Sequence, residues 1–384
     1  MYTDETHLLA ALRRHVWQGF DGDPFPDGAN KRHIVDLFER HLIGMDETVP
    51  TRHRMDDLAR LMAERIRRRR SGFLLDYAGR EDQISQAMFD DVQSRGRAEF
   101  RVDPMAFSGR QRPGISVVLP IYGDYEGTRI CFEQLQRHQA ENGYRVIMVW
   151  DRGPDPRLAD VCREYAQKAG FTCLENAENV GFSGTVNAGM LEAGRDDVIL
   201  LNSDTVPCDD WALRLQDAAY AHPKIGAVTP FSNNASICNL PFPEGAEMPQ
   251  DDPVAWTEAL DRRARKAQPF TVEMPVAHGF CVYIRRSLID RIGLFSEMKY
   301  DRGYGEDNEF SLRARMAGYF CGGATNVLVG HAGSTSFSGD VDGDALRAQG
   351  RSSMQQEFSC YFREISDFYR NDPLARHRRA AMAE

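Results

Sequence analysis

The sequence lacks most of the features that would send it into a membrane, outside the cell or onto a nucleic acid. Its eight cysteines (131, 162, 173, 208, 238, 281, 321 and 360) form no C-x-x-C pair and no Cys/His spacing suited to zinc. A disulfide framework is therefore not expected, and the thiols read as reduced and buried in apolar runs such as Gly279-Phe280-Cys281-Val282. The opening Met1-Tyr2-Thr3-Asp4-Glu5-Thr6-His7 has neither the basic start nor the apolar centre of a signal peptide. No stretch reaches the ~18 apolar residues of a membrane span. The expectation is a cytoplasmic protein that works, at most, at the inner face of a membrane. There is no Walker loop, no G-x-G-x-x-G fingerprint and no internal repeat. Positive charge is also short where a nucleic-acid binder would need it. Residues 1–112 hold 19 basic and 19 acidic side chains, so the whole net charge of -10 falls on residues 113–384. That acidic region disfavours a phosphate-tracking role and suits an enzyme that recruits a divalent cation before a pyrophosphate.

What is present divides into three parts. Residues 1–112 read as a helical region with a linker. Leu8, Leu9, Leu12 and Val16 form one helical stripe, Ile34 to Leu42 a second, and Leu58, Leu61, Met62 and Ile66 a third. Arg67–Arg70 closes the third helix, as a solvated end favoured by the helix dipole or as a patch for a polyanion or membrane. Pro104, Gly109, Pro113 and Gly114 mark the linker. From residue 113 the pattern becomes strand–helix–strand, with strands at 115–119, 144–150, 171–174 and 197–201 and helices at 126–141, 156–169 and 184–193. This alternation predicts βαβ units and a largely parallel sheet, with ligand loops at the strands' carboxyl ends. Further strands are expected at 225–230, 276–284 and 325–330, a helix at 308–317, an amphipathic helix at 345–370 and a loose Arg-rich tail from 376. The domain division read this way is 1–112, 113–340 and 341–384.

Several residues stand where chemistry would be expected. Asp204 lies just beyond an apolar strand in Leu201-Asn202-Ser203-Asp204, where one carboxylate with substrate phosphates can hold Mg²⁺ or Mn²⁺. It can equally cap the next helix. Tyr304-Gly305-Glu306-Asp307-Asn308-Glu309 sets three carboxylates at a helix start, favoured by the dipole alone, or with one of them a general base. His331 follows a strand, either as a structural histidine or as a metal ligand. Asn179 to Gly189 is a glycine-bearing loop entering a helix, a place that favours anions. Asp151 ends a strand, able to accept from a base or ribose or merely to start the Gly153-Pro154 turn.

In this order, Ile115–Tyr122, Val149-Trp150-Asp151, Asn179-Val180-Gly181-Phe182 with Asn187, Leu201–Asp204, Tyr304–Asp307 and His331 resemble the family 2 glycosyltransferases, over about residues 113–338. The resemblance implies a GT-A type α/β fold, Rossmann-like, with a mixed and mainly parallel sheet. It implies an inverting, metal-dependent hexosyl- or deoxyhexosyltransferase. The donor would be a nucleotide-sugar, UDP-linked by default and dTDP- or GDP-linked as alternatives. The acceptor would be a glycan or glycolipid of surface polysaccharide synthesis. Carried over by position, Pro120, Ile121 and Tyr122 border the nucleoside and Asp151 bonds the base. Gly181, Phe182 and Asn187 support the ribose and diphosphate. Asp204 and His331 hold Mg²⁺ or Mn²⁺, with Asn202 and Ser203 beside them. Asp307 is the catalytic base and Glu306 assists the acceptor. Ser232, Asn233, Asn234, His278 and Gly279 are assigned to the donor sugar or acceptor. The sequence departs from the family at Asn202, where the first Asp of an Asp-x-Asp motif would stand. The rival readings are a sugar nucleotidyltransferase, disfavoured by the acidic loop Ile121–Glu126, and a GT-A binding protein without catalysis. The N-terminal helices are expected to dock a membrane, a partner transferase or the acceptor, or simply to extend the core.

Overall fold

The computed structural model describes residues 81–104, 107, 111–295, 305–333 and 358–383. The three N-terminal stripes, the Arg67–Arg70 run, Tyr304 and the first part of the expected helix at 345–370 lie outside these residues.

A nine-stranded sheet forms the centre, in the order β1-β8-β10-β7-β9-β5-β2-β3-β4. Its strands are β1 Glu99–Arg101, β2 Ile115–Ile121, β3 Arg145–Trp150, β4 Thr172–Glu175, β5 Asp197–Leu201, β7 Ile225–Phe231, β8 Phe270–Met274, β9 Cys281–Ile284 and β10 Phe320–Leu328. The pairings make seven of the nine strands run one way, with β8 and β9 reversed. A short antiparallel pair, β6 Thr205–Val206 with β11 Gly330–His331, stands apart. The expected mixed, mainly parallel α/β sheet is what the chain forms.

The apolar runs that announced these strands are runs because both sheet faces are covered. Val117, Leu119, Met148, Ile199 and Leu201 pack into one cluster; Val118, Ile147, Val149, Val198 and Leu200 pack into another on the opposite face. Connecting helices supply the other side of each layer: α2 Tyr125–Asn142, α3 Arg157–Ala169 and α5 Trp211–Ala219 on the first, α4 Gly181–Glu192, α7 Arg286–Ile292 and α8 Glu306–Met316 on the second. α4 lies so close to β2 that a Cβ on Gly189 would stand 2.3 Å from Val118 Cγ1.

Two expectations are corrected, and two features went unread. The segment 276–284 is not one strand: β8 ends at Met274, and residues 276–280 form a bend before β9. Helix α6, Pro253–Lys266, went unread, although Asp252 caps it onto the Ala255 N–H at 3.1 Å and Pro253 opens it. The tail from residue 376 is not loose. After α9, Tyr361–Asn371, it forms α10, Ala375–Met382, with Arg378 buried, its guanidinium donating to the Asn239 carbonyl at 2.9 Å and lying over Phe242. A run rich in arginine reads as solvated surface, but arginine buries well when carbonyls and an aromatic face receive it. Finally, the sheet takes in residues before 113, since β1 pairs with β8, and α1 Glu81–Arg95 sends Arg95 to Glu273 at 2.6 Å.

One buried ion pair ties three elements behind the sheet. Arg214 of α5 meets Asp261 of α6 at 2.7 Å, and Asp261 also accepts from the Leu328 N–H at 3.0 Å. Both side chains are buried. Removing Asp261 leaves the buried Arg214 only the more exposed Asp210, 2.6 Å from its Nε, so Asp261→Ala should destabilise by up to about 3 kcal/mol in a urea or thermal unfolding experiment.

Candidate functional site at the carboxyl edge of the sheet

Parallel strands deliver their loops to one edge, and this chain loads that edge with polar groups from β2, β3, β5, β7 and the β10–β11 turn. On the β3 side, Asp151 is buried; its Oδ1 accepts from Asn176 Nδ2 at 2.7 Å and from the Val180 N–H at 2.8 Å, just ahead of α4. Burial pushes its carboxyl up to about 6, against the pull of those donors. Asn176, which also donates to Thr185 at 3.2 Å, is a site residue the sequence reading missed. The signal lay in its place right after β4, the next strand of the parallel set. Arg152, with φ at 53°, lays its guanidinium over Trp150 and donates from Nε to the Asn176 carbonyl at 2.7 Å. Ile121 accepts from the Asp151 N–H at 2.9 Å, and a Cβ on Gly153 would run into the Tyr122 carbonyl. The loops carrying Pro120–Tyr122 and Asp151 thus touch. Gly181, with φ at 75°, opens α4, and Phe182 packs half-buried on the core. Asn187 is drawn inward: its amide exchanges two bonds of 3.0 Å with the Phe295 backbone, so it anchors residue 295.

At the centre of the edge stand Asp204 and His331. The β6–β11 pairing sets His331 opposite Thr205, and the Ala332 N–H donates to the Asp204 carbonyl at 3.0 Å. His331 Nε2 then faces Asp204 Oδ1 at 3.4 Å, while Asp204 Oδ2 accepts from the Gly333 N–H at 3.1 Å. The other ring nitrogen, Nδ1, lies 2.6 Å from the Asn234 carbonyl. A carbonyl only accepts, so Nδ1 carries the hydrogen. Burial lowers the pKa of His331, but the Asp204 carboxylate and these bonds outweigh it and the net shift is upward. For Asp204, burial works upward and His331 prevails, so the carboxyl is held below its usual range. The His331 ring stacks on Phe280, centroids 5.1 Å apart. Asn202 lies alongside, its N–H donating to the Phe280 carbonyl at 2.8 Å, and Ser203 is buried between them.

The third part of the site is the first turn of α8. Asp307 Oδ2 accepts from the Gly279 N–H at 3.0 Å and Oδ1 from the Asn308 N–H at 2.8 Å. Gly279 has no room to spare, since a Cβ there would stand 3.2 Å from the Asp307 Cβ. Glu306 is buried, its Oε2 makes no hydrogen bond among the described residues, and burial together with Asp307 pushes its carboxyl up to about 8. The bend His278-Gly279-Phe280 joins the two halves: Gly279 holds Asp307, and Phe280 holds Asn202 and His331. His278 feels both, since burial lowers its pKa, Asp307 raises it and His331 lowers it further.

Of the residues assigned to a sugar, Asn233 is corrected. Its oxygen accepts from the His331 N–H at 2.8 Å, and both its amide hydrogens go to carbonyls, those of His331 and Ala246, each at 2.9 Å. Ser232 shapes the turn after β7, its N–H donating to the Cys238 carbonyl at 3.1 Å, and Asn234 is exposed.

A second group of possible cation ligands, His138, Glu141 and Asp209, lies elsewhere. His138 Nδ1 is 3.3 Å from Asp209 Oδ1, and Glu141 and Asp209 are exposed. His138 sits 13 residues along α2 from Tyr125, roughly 20 Å down a helix that starts at the carboxyl edge. The cluster belongs to the helical flank, away from the loops that face a ligand.

Among curated proteins none matches this sequence. Many solved structures are similar in shape, two of them named here. One is the mannosyltransferase PcManGT from Pyrobaculum calidifontis in complex with GDP-Man and Mn²⁺, at 17% identity and a TM-score of 0.47, covering 84% of this chain and 85% of that one. The other is GalNAc-T7 with UDP, GalNAc and Mn²⁺, at 15% identity and 0.46, covering 67% of this chain and 57% of that one. Residues 116–293 match the family model described as glycosyl transferase family 2. The matched segment runs from β2 to the end of α7 and contains the Asp151, Asp204 and Gly279 loops, while Asp307 and His331 lie beyond it. Residues 116–293 thus carry a family 2 glycosyltransferase domain.

Proposed function

We propose that this glycosyltransferase moves a sugar from a nucleotide-sugar donor to a hydroxyl of a glycan or glycolipid with inversion, using a divalent cation held by Asp204 and His331. The observation that carries the reading is the joined pair of groups at one sheet edge: Asp204 facing His331 at 3.4 Å, and Asp307 fixed by Gly279 on the bend that stacks Phe280 on His331. The donor set fits a hard cation. Two ligands on adjacent corners of an octahedron at ~2.1 Å stand about 3 Å apart, near the observed spacing. The hydrogen on Nδ1 leaves the Nε2 lone pair toward Asp204, the tautomer a metal ligand needs. When bound, Mg²⁺ or Mn²⁺ neutralises charge growing on the departing diphosphate. Asn202 supplies a neutral amide beside it in place of a second carboxylate.

The chain's own groups do the rest. Asp307, with both oxygens oriented by backbone N–H groups, takes the acceptor proton as that oxygen attacks the anomeric carbon from the face opposite the diphosphate. Such a displacement passes through oxocarbenium character and inverts the centre. Asp151 receives the base, with Pro120–Tyr122 along the nucleoside and Gly181 at the diphosphate side. We assign the activity to surface polysaccharide synthesis in the cytoplasm at the inner membrane face, with UDP-sugars the donors to test first and dTDP- and GDP-sugars in the same panel. Membrane or partner-transferase contact is assigned to the N-terminal region, residues 1–112. The test is nucleotide release from that panel with and without chelator, followed by NMR of the product's anomeric centre. Retention of configuration, or full activity in chelator, would overturn the reading.

A pH effect follows from Asp151. Its carboxyl, raised to about 6 by burial, is ionised above that value and accepts most strongly there. As pH falls through 6 it protonates and donor binding weakens, so the donor KM should rise toward tenfold per pH unit while kcat is spared. Asp151→Asn should flatten that profile in steady-state measurements from pH 5 to 8.

A further inference from the structure

The residue that fixes His331 in place is two positions beyond the end of β7. β11 is paired on one side only by a strand: the Ala332 N–H reaches the Asp204 carbonyl of the β6 side at 3.0 Å. The N–H and C=O of His331 itself point to the other side, where no strand lies. There the Asn233 carboxamide takes both, accepting from the N–H at 2.8 Å and donating to the C=O at 2.9 Å. The side-chain amide thus imitates one rung of an antiparallel ladder. This two-point match also settles which end of the amide is oxygen, because a backbone N–H needs an acceptor and a C=O needs a donor. The second amide hydrogen goes to the Ala246 carbonyl at 2.9 Å, and Asn233 is 1% exposed. The adjoining Asn234 carbonyl receives His331 Nδ1. One dipeptide therefore holds the His331 backbone by two bonds and its ring by a third.

We propose that Asn233 is a positioning residue for the cation site: it locks the His331 backbone so that Asn234 can fix the ring with Nε2 toward Asp204. This rests on Asp204 and His331 being the cation ligands. Without the clamp, β11 keeps only its β6 side, and the ring loses the fixed distance to the Asn234 carbonyl that sets its tautomer. Groups that orient a metal-binding histidine typically contribute 10–100-fold to metal affinity. No other residue type of this size supplies two donors and an acceptor in one plane.

The test is titration of the full-length protein with Mn²⁺ alone, reading free Mn²⁺ by electron paramagnetic resonance, with the melting temperature of the metal-free protein measured beside it. Asn233→Ala should weaken Mn²⁺ binding 10–100-fold, as Asp204→Asn should. Should the alanine variant fail to fold, Asn233→Gln, which keeps the amide but displaces it by one methylene, should weaken binding while remaining folded. Wild-type Mn²⁺ affinity in the folded Asn233 variant, with binding lost in Asp204→Asn, overturns the clamp alone. Wild-type affinity in Asp204→Asn overturns the ligand assignment and the clamp with it.

Discussion

Asp307→Asn should keep the donor bound and lose about 10²–10⁴-fold in kcat, the usual contribution of a positioned base, or roughly 3–5 kcal/mol in the barrier. The amide has the same outline, so the first turn of α8 should persist, although one of the two N–H groups that now point at the carboxylate, from Gly279 and Asn308, will face an amide nitrogen. Glu306 is a poor substitute. Burial, the larger cause of its raised pKa, persists when Asp307 becomes an amide, so its carboxyl stays above the ordinary range and spends more of its time as a neutral, weakly basic acid. In the proposed division of roles, Asp307 is the base and Glu306, whose carboxyl burial pushes upward, stands beside it. Steady-state kinetics with the donor found in the panel would show kcat falling while donor KM holds. Turnover at the wild-type level would remove Asp307 from the mechanism. Gly279→Val offers a second approach to the same point, because a side chain there would press on Asp307 and should lower kcat without touching any ionisable group.

Much of this site could be read before any coordinates. Asp151 and Asp204 were legible because each follows an unbroken apolar strand, and in a parallel sheet buried on both faces such a strand has only one edge at which polar groups emerge. The three carboxylates of Glu306–Glu309 were legible as a helix start by charge and by Gly305. The Asp204–His331 contact was legible only through the family pattern, since β6 and β11 are two residues long each and carry no periodicity of their own. Asn233 was misread for a physical reason: an asparagine in a turn looks available for a sugar, and nothing local tells that its amide is consumed by residues 246 and 331. Long-range pairings of this kind leave no trace in spacing. The same holds for Asn176 and Asp151, 25 positions apart, and for α10, whose arginines look solvated until Ile237 and Asn239 supply the carbonyls for Arg378.

Asp204→Asn should depress turnover by about 10³-fold at ordinary Mn²⁺ or Mg²⁺ concentrations, and what activity remains should no longer respond to chelator. The reasoning starts from ligand count. Asn202-Ser203-Asp204 offers one carboxylate, so this side chain supplies the only fixed negative charge that the segment presents to the cation. A Lewis acid at the leaving diphosphate contributes several kcal/mol, and each 1.36 kcal/mol is tenfold in rate, which sets the scale of the loss. Asn is the variant to choose because it can still accept from the Gly333 N–H that Asp204 now receives at 3.1 Å, and because the Asp204 backbone, which accepts from Ala332, is unchanged; the melting temperature in mildly basic buffer should therefore move little. The ion pair behaves in the opposite sense to the catalytic loss. In the metal-free protein Asp204 raises the pKa of His331, so the pairing contributes stability below about pH 6.5, the unperturbed histidine value, and that contribution fades as pH rises through the raised pKa of the folded state. Asp204→Asn removes it, and the variant should be less stable than the parent in acid while matching it in base. A variant with wild-type turnover and full chelator sensitivity would place the cation elsewhere, with His138, Glu141 and Asp209 the first residues to examine.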